Sequence, residues 1–322
     1  MPFWCVAVDL AIETIDLTKQ YGSLTAVNKL NLRVECGSIH GFLGPNGAGK
    51  STTIKILVGL LKATQGSAKV LGQEVHVDQA DARLSIGYMP ELPRFPNHLK
   101  GAELLDVYGR MYGMNPQERQ TQIPRLIDLV GLKGRENDLI GKYSKGMQQR
   151  IGIAQALLNN PQLVILDEPS IGLDPVGMVE VRELVKAISK EGMTVFVSSH
   201  LLYEVEQICS HVTIINRGQA LVSDTLETVS QMISGPTVMQ VEVVNLSGAT
   251  VAAVKALSPV KEATKSGNML NVSLSTREDV RAEVSQAITK SGGIIVGMTQ
   301  KGHSLEDVFI QLINKRQEGS AQ

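Results

Sequence analysis

The glycine-rich segment GPNGAGKST, residues 44–52, constrains the fold of this chain more than any other feature. It fits the pattern G-x-x-x-x-G-K-[ST], follows an apolar run that ends at Leu43 and precedes a predicted helix over residues 52–61. In this context the glycines let successive backbone NH groups converge on phosphate oxygens, and the helix N-terminus adds the positive end of its dipole. A glycine-rich turn with a surface lysine is the alternative, and the strand before the loop and the helix after it argue against that alternative.

Two side chains of this segment are suited to phosphates and to a metal ion. Lys50 can reach the β- and γ-phosphates of a bound nucleotide, and the hydroxyl of Ser51 can ligate Mg²⁺. The segment therefore predicts a nucleoside triphosphate and Mg²⁺ as ligands. The predicted phosphate-binding residues are Gly44, Pro45, Asn46, Gly47, Ala48, Gly49, Lys50, Ser51 and Thr52.

A second segment, residues 163–169, ends an apolar run with two adjacent carboxylates. In a parallel sheet the carboxyl ends of the strands form the ligand crevice, so this run delivers Asp167 and Glu168 beside the phosphates. Asp167 is suited to hold Mg²⁺ through its water shell. Glu168 is placed to act as general base on the water that attacks the γ-phosphate, a role that contributes about 10²- to 10⁴-fold in rate. A solvent-exposed acidic strand end is the alternative, and it suits one carboxylate better than a pair.

Residues 12–228 alternate short β-branched runs with longer helical patterns, which is typical of an α/β domain with a largely parallel sheet. The strand candidates are residues 38–43, 163–166, 194–198 and 212–216. Three of these runs are almost continuously apolar, as expected for strands covered on both faces. Residues 101–114 and 116–130 are predicted helices that follow a proline-containing loop, so we expect a helical insertion inside this domain.

The pattern changes at residues 234–236, Ser-Gly-Pro, where a turn marks the predicted domain boundary. Beyond this turn the strands and helices are predicted in the order β-α-β-β-α-β, the split βαβ or ferredoxin-like arrangement. The predicted segments are residues 238–245, 248–257, 260–265, 269–275, 277–291 and 294–299. A final helix is predicted from Ser304, which forms a capping-box pattern with Asp307.

In their order and spacing, the motifs of residues 12–228 resemble the nucleotide-binding subunits of ABC transporters, which are P-loop ATPases. The signature of that family is matched by residues 143–150, YSKGMQQR, which lead into a predicted helix over residues 151–158. The resemblance implies ATP and Mg²⁺ as ligands, and a second copy of the chain whose signature completes each ATP site. The signature residues implied to act on the other copy are Ser144, Lys145, Gly146, Met147 and Gln148.

Three further residues carry the resemblance. Asp174 lies in the segment SIGLDP, residues 170–175, which is similar to the loop that joins the two half-sites. His200 follows the next predicted strand and resembles the switch histidine that can hydrogen-bond a γ-phosphate oxygen. Tyr21 lies 23 residues before Gly44, at the position of the aromatic residue that stacks on adenine. A lone histidine or tyrosine is more often structural, so the assignment of Tyr21 depends mainly on its position.

The chain departs from the common family pattern at two places. In the signature, Lys145 replaces the first glycine of a pair and Met147 replaces a glutamine. The lysine form resembles the branch that works with ABC-2 type permeases and commonly carries an accessory C-terminal domain. The second departure is Glu91, where the family at large has glutamine; the resemblance implies that this position contributes to Mg²⁺ binding together with Ser51 and Asp167, although an acid ligates the ion differently from an amide.

Composition limits the classes of protein. The chain has 322 residues, 43% of them hydrophobic, and its 31 Lys+Arg against 32 Asp+Glu give a net charge of -1, so neither disorder nor a polyanion-binding patch is indicated. Three cysteines form no C-x-x-C pair, which favours small buried side chains in a reducing compartment over zinc or redox chemistry. No apolar stretch approaches the roughly 20 residues of a membrane helix.

We expect three segments in the chain. The first is an N-terminal extension over residues 1–11, which is an extra strand or packing tail and not a signal peptide. The second is the ATPase domain over residues 12–235, and the third is an accessory domain over residues 236–322.

The motifs favour the ATP-hydrolysing subunit of an ABC-2 type export system, attached at the cytoplasmic face of the membrane through a separate permease. The prolines and helices of residues 90–130 are the predicted permease contact. A soluble ABC ATPase that acts on ribosomes or nucleic acid is the alternative, and the single nucleotide-binding domain and the near-neutral charge argue against it. A non-catalytic nucleotide-binding regulator is a third hypothesis, which the presence of Lys50, Asp167, Glu168 and His200 disfavours.

Overall fold

The computed structural model describes residues 9–77, 84–232, 237–275 and 279–301, together with residues 306 and 309. The chain divides into two compact units, Met1–Val229 and Ser230–Gln322. Three sequence predictions fall wholly or largely outside the described residues. They are the first eight residues of the N-terminal extension, the turn at residues 234–236 and, apart from residues 306 and 309, the final helix.

A six-stranded sheet forms the centre of the first unit, with the strand order β10-β9-β3-β8-β7-β6. Its strands are β3 (Ile39–Leu43), β6 (Ile86–Met89), β7 (Leu163–Asp167), β8 (Thr194–Ser199), β9 (His211–Asn216) and β10 (Gln219–Thr225). All neighbouring strands except the β9-β10 pair run parallel. The predicted α/β class is therefore confirmed, and the four predicted strands begin and end within one residue of the observed bounds. Every residue of β7 and β8 is buried, as expected for strands covered on both faces.

A second sheet in the same unit was not predicted from the sequence. It is antiparallel, has the order β2-β1-β4-β5, and consists of β1 (Leu10–Tyr21), β2 (Leu24–Glu35), β4 (Gln65–Val70) and β5 (Gln73–Glu74). Its alternating pattern is broken where β1 and β2 shift register, and Asp16 and Lys29 there have positive φ angles. These irregularities hide the period of two that would identify half-buried strands. The buried face of this sheet shares one core with Phe42 of β3 and Ile54 of the helix that follows the glycine-rich loop.

The helices of the first unit are α1 (Lys50–Leu57), α2 (Gly101–Met111), α3 (Pro116–Leu129), α4 (Lys145–Leu157), α5 (Pro175–Lys190) and α6 (Leu202–Glu206), with a 3₁₀ turn at Ile140–Lys142. The helix α7 (Leu226–Gln231) begins in the first unit and includes the division between the units after Val229. The predicted helical insertion is present, since α2, α3 and α4 lie between β6 and β7 in the chain. Asn115 begins α3 with a capping box to Glu118, which satisfies two otherwise unpaired backbone groups.

The bounds of two predicted helices were wrong. The helix predicted over residues 52–61 begins at Lys50 and ends at Leu57, because Gly49 starts it in a left-handed conformation and Gly59, also left-handed, ends it. The helix predicted to begin at residue 151 begins at Lys145, because the Ser144 hydroxyl accepts a hydrogen bond from Met147 and caps it there. The signature is therefore the first turn of α4 and not a loop before it.

The second unit has the predicted order of elements. They are β11 (Thr237–Val244), α8 (Gly248–Lys255), β12 (Val260–Ser266), β13 (Met269–Leu274), α9 (Arg281–Lys290) and β14 (Ile294–Lys301). The strands pair antiparallel in the order β12-β13-β11-β14, which is the ferredoxin-like topology. The largest difference in bounds is at α9, which begins at Arg281 and not at residue 277. Met239, Val241 and Val243 of the central strand β11 are fully buried within the core of this unit.

The expectations drawn from composition concern the three cysteines and membrane-spanning helices. Cys209 is buried and Cys36 is half-buried, while Cys5 lies outside the described residues. In the part of the chain that the structure describes, no helix combines the length and apolar character needed to cross a bilayer.

A buried histidine in the six-stranded sheet makes the stability of the first unit depend on pH. His40 is 2% exposed, its Nε2 lies 2.8 Å from the Thr213 hydroxyl, and its Nδ1 is buried without a hydrogen-bond partner. Burial, and to a smaller extent the nearby His211, lowers the pKa of His40 from its ordinary 6.5 to about 3. Because the folded pKa is below the unfolded pKa, the stabilising contribution is complete above pH 6.5 and is lost as the pH falls from 6.5 towards 3.

We predict that replacing His40 with glutamine flattens the acid side of the stability profile. Between pH 5.5 and 4.5 the wild-type free energy of unfolding should fall by about 1.3 kcal/mol more than that of His40→Gln. Urea unfolding followed by circular dichroism at several pH values measures both slopes. Equal slopes in the two proteins would show that His40 is not held neutral in the folded state.

Candidate functional site

The glycine-rich loop runs from the end of β3 to the start of α1, as the sequence predicts. Two of its glycines are required by close backbone contacts. A Cβ atom on Gly44 would lie 2.3 Å from the Ile215 carbonyl oxygen, and one on Gly49, whose φ angle is +107°, would lie 2.5 Å from the Ala26 carbonyl oxygen. The loop is thus packed tightly against its neighbours, and its NH groups are held in a fixed arrangement at the N-terminus of α1.

A cavity of about 470 Å³ opens over this loop, a volume in the range of small-molecule sites. It is lined by the predicted residues Pro45, Asn46, Gly47, Gly49, Lys50, Ser51, Thr52, Tyr21, Glu91 and Glu168. Leu24, Ala26 and Ile171 also line it, and sequence reasoning missed them because their positions carry no chemical motif. The structure therefore brings together the predicted phosphate loop, the predicted aromatic residue Tyr21 and the predicted carboxylates Glu91 and Glu168.

One end of the cavity is apolar and aromatic. Tyr21 is the last residue of β1 and is 47% exposed, and Leu24, its partner in the β1-β2 register, is 64% exposed. The Lys19 ammonium lies 5.2 Å from the centroid of the Tyr21 ring. An exposed aromatic face of this kind is suited to stack on a planar base.

Asp167 lies at the end of β7 with a carboxylate that is held by two hydroxyl groups. The Ser198 hydroxyl donates to its Oδ1 at 2.6 Å, and Ser51 hydrogen-bonds it from the glycine-rich loop. Burial raises the pKa of Asp167, and these hydrogen bonds act in the opposite direction. Ser198 also accepts a hydrogen bond from the Glu168 backbone NH at 2.9 Å. The sequence signal for this connecting role is limited to the Ser-Ser pair before His200.

Glu168 follows in a left-handed conformation, with a φ angle of +50°. One carboxylate oxygen lies 3.0 Å from the Lys50 ammonium, and the other lies 2.7 Å from His200 Nδ1. Lys50 and Glu168 are both buried, and Lys50 also donates to the Gly44 carbonyl oxygen at 2.7 Å. Since a non-glycine residue with positive φ persists only where its surroundings hold it, these contacts fix the carboxylate beside the glycine-rich loop.

The donor set suits Mg²⁺. The Ser51 hydroxyl and the Asp167 carboxylate are hydrogen-bonded neighbours, and Glu91 lines the same cavity. Among the described residues no group of three or more His, Cys, Asp or Glu side chains could hold a metal ion by itself. A Mg²⁺ ion commonly takes one or two protein oxygens and completes its shell with substrate phosphates and water, so a hydroxyl and a carboxylate beside a phosphate loop fit it.

The signature residues lie elsewhere on the molecule. None of the five signature positions is among the described residues that line the cavity, and Ser144 and Lys145 are exposed. Lys145 lies across Gly172, since a Cβ atom on that glycine would be 2.1 Å from the lysine ammonium. Asp174 accepts a hydrogen bond from the Gly177 NH at 2.9 Å and caps α5. Gln149 of α4 donates to the Glu91 carbonyl oxygen at 3.4 Å, which connects the helix of the signature to the loop at the cavity.

A phosphate loop between a buried parallel strand and a helix, with paired carboxylates at the end of β7, two strands away in the same sheet, defines a P-loop nucleotide-binding domain. Residues 27–171 match the family model described as ABC transporter. The chain is 44% identical over 211 residues to the bacitracin transport ATP-binding protein BcrA of Bacillus licheniformis, covering 65% of this chain and 68% of that protein. This chain therefore belongs to the ATP-binding proteins of ABC transporters.

Two further comparisons extend the match. The chain is 32% identical over 307 residues to the linearmycin resistance ATP-binding protein LnrL of Bacillus subtilis, covering 94% of this chain and 98% of that protein. A solved dimeric structure of a bacterial ABC transporter cassette is 25% identical and superposes with a TM-score of 0.61, covering 67% of this chain and 98% of the cassette. The likeness to LnrL includes the second unit, whereas the likeness to the solved cassette covers a shorter part of the chain.

We predict that releasing Lys50 from its carboxylate strengthens nucleotide binding. A β-phosphate competes with Glu168 for the same buried ammonium, so Glu168→Gln should bind ADP about tenfold more tightly than the wild type, as measured by isothermal titration calorimetry. His200→Ala is the matched control, because it removes the other partner of Glu168 and leaves the Lys50 contact in place. An unchanged or weaker ADP affinity in Glu168→Gln would show that the carboxylate does not compete with the phosphate.

Proposed function

We propose that this chain is the ATP-hydrolysing subunit of an ABC-2 type exporter and acts on a separate membrane permease. The observation that carries the proposal is the convergence of Lys50 and His200 on the Glu168 carboxylate at the edge of the phosphate-loop cavity. A buried carboxylate held beside a phosphate-binding lysine and a histidine is placed to act as general base on water at the γ-phosphate once the lysine binds the phosphates.

The predicted site residues have distinct roles in the proposed reaction. The backbone NH groups of residues 44–52 and the Lys50 ammonium bind the phosphates, and Tyr21 stacks on adenine. Glu168, once Lys50 has moved to the phosphates, accepts a proton from the attacking water as general base, and His200 orients that carboxylate and contacts the γ-phosphate. When bound, Mg²⁺ neutralises the developing phosphate charge, and Ser51, Asp167 and Glu91 are the residues that would hold it.

The active form in this proposal is a dimer of two copies. The signature residues lie outside the cavity of their own chain, at the exposed start of α4, so they are available to a second copy. A helix N-terminus, which is the positive end of the helix dipole, is suited to the γ-phosphate bound across such an interface. The dimeric form of the similar bacterial cassette supports this arrangement. ATP then joins the two copies, and hydrolysis releases them.

A groove between α2 and α3 is the proposed contact with the permease. It has a volume of about 860 Å³, and its lining includes Val107, Met111 and Ile123. Met111 is 75% exposed. The charged residues at its rim neutralise one another, since Asp106 lies 2.8 Å from Arg110 and 2.7 Å from Arg119. An apolar groove with a balanced rim suits a short apolar segment of a membrane protein better than a nucleic acid.

This position makes the chain a peripheral protein of the cytoplasmic membrane face. The names of BcrA and LnrL refer to bacitracin and to linearmycin resistance, and they favour a drug among the lipid, polysaccharide, drug and ion cargoes open to this branch. An ATPase that acts on ribosomes or nucleic acid is the alternative. No contact in the described residues supports that role, and the net charge of -1 offers a polyanion little attraction.

We predict that Glu168→Gln abolishes ATP turnover and accumulates an ATP-bound dimer. The amide cannot accept the proton of the attacking water, so phosphate release should fall by at least about 10²-fold while ATP binding persists. Phosphate-release assays give the turnover, and size-exclusion chromatography with ATP and Mg²⁺ gives the dimer. Turnover at the wild-type rate in this variant would remove Glu168 as the base.

We predict that a charge in the α2-α3 groove separates the chain from its permease without affecting nucleotide chemistry. Met111→Glu should retain wild-type ATP hydrolysis and lose the membrane protein that the wild type captures from detergent-solubilised membranes. Leu60→Glu is the matched control, because Leu60 is also an exposed apolar residue, at 58%, and lies outside the groove. Capture of ribosomes and of no membrane protein by the wild type would favour the alternative function.

A further inference from the structure

A second acidic residue lies behind the site, on the short helix α6. Glu204 follows His200 by four residues and is half-buried. It shares a small internal cavity with Ser170 of the loop after Glu168 and with Arg182 of α5. The cavity has a volume of about 20 Å³ and includes Ser199, the residue directly before His200, in its lining. Glu204 therefore lies where three segments meet, and the catalytic motifs singled out from the sequence do not include it.

The polar groups around Glu204 show that its carboxylate is not simply a solvated surface charge. Burial raises the pKa of Glu204, while hydrogen bonding from Ser170 and the charge of Arg182 act in the opposite direction. Its Oε1 is buried without a hydrogen-bond partner, and so is Nε of Arg182. The Arg182 guanidinium lies 5.7 Å from the ring centroid of Tyr203, the residue before Glu204. A half-buried acid whose charged form is penalised by desolvation, beside a specific charge partner, is a candidate functional residue.

The two segments joined at Glu204 are the ones that carry the proposed chemistry. Ser170 begins the loop that continues through Gly172, on which Lys145 lies, to the Asp174 cap of α5. On the other side, His200 holds the Glu168 carboxylate through its ring and also donates its backbone NH to it at 3.3 Å. A displacement of the loop against α6 would therefore change the position of His200 relative to Glu168.

We propose that Glu204 is a positioning residue for ATP hydrolysis: it ties the loop of residues 170–174 to the segment that carries His200, so that the second copy, by contacting this loop, sets the geometry of His200 and Glu168. This inference rests on the proposed function, because it assumes hydrolysis in a dimer. Glu204 does not line the phosphate-loop cavity. It acts through Ser170 on one side and through the short helix α6 on the other.

A purely structural role for Glu204 makes a different prediction. If the carboxylate only stabilises the packing of α6 against α5, its loss lowers the melting temperature and leaves the turnover of the folded protein unchanged. If it positions His200, the loss lowers kcat while the binding of ADP to a single copy is preserved, because Lys50 and the glycine-rich loop are untouched.

The test compares Glu204→Ala, Glu204→Gln and Ser170→Ala in the full chain. Glu204→Ala should lower kcat for MgATP about tenfold and change the dissociation constant for ADP by less than about twofold. Glu204→Gln keeps an oxygen that can accept the Ser170 hydrogen bond and should restore most of kcat. Ser170→Ala should lower kcat without adding to the effect of Glu204→Ala in the double variant, because the two groups act as one unit. Glu183→Gln is the matched control, an exposed acid on α5 that pairs with Lys186.

The outcomes separate this inference from the proposed function. Hydrolysis by the wild type together with unchanged kcat in Glu204→Ala would overturn the positioning role alone, as would additive effects of the two alanine variants. Absence of hydrolysis by the wild type, under conditions where ADP binds, would overturn the proposed function and this inference with it. If Glu204→Ala fails to fold, Ser170→Ala tests the same contact from the other segment, and wild-type kcat in that variant would overturn the inference.

Discussion

The site depends on one buried ion pair, between Lys50 and Glu168. The two residues come from distant parts of the chain and meet because β8 lies between β3 and β7 in a parallel sheet, so the ends of all three strands open at one edge. Desolvating either charge alone would be costly, and each neutralises the other at 3.0 Å. The position of the predicted base is therefore set by the same lysine that the phosphates need, which links occupancy of the cavity to the freedom of Glu168.

The strand β8, which lies between β3 and β7, also orients the acidic pair. Ser198 of β8 donates to Asp167 and accepts from the Glu168 backbone, so one hydroxyl orients both members of the acidic pair. The next turn of the same segment provides His200, which holds the second oxygen of Glu168. These contacts hold Glu168 at a φ angle of +50°, a conformation that non-glycine residues rarely adopt.

Much of this could be predicted from the sequence, because the decisive signals are local. The loop around Lys50, the apolar run before Asp167 and the ferredoxin-like order of the second unit each lie in a contiguous stretch with its own pattern. The antiparallel sheet of β1 and β2 was missed because its register shifts break the alternation. Ser198 and Glu204 were missed for another reason: their importance arises from neighbours about 30 residues away in sequence, which no local pattern reports.

At the start of α4 the sequence motif identifies the signature residues but predicts the wrong helix start. The helix was predicted to begin at residue 151, yet Ser144 caps it, so Lys145 and the residues after it belong to its first turn. This places the N-terminus of α4 and the exposed side chain of Lys145 at one point of the surface, while Gln149, one turn further, donates to the Glu91 carbonyl oxygen at the cavity. A group bound at the helix start and a group bound at Glu91 therefore act on the same rigid helix. Under the proposed function, α4 is the element through which a nucleotide on a second copy and the nucleotide of this chain influence each other, and the α2-α3 groove lies directly beyond that loop in the chain.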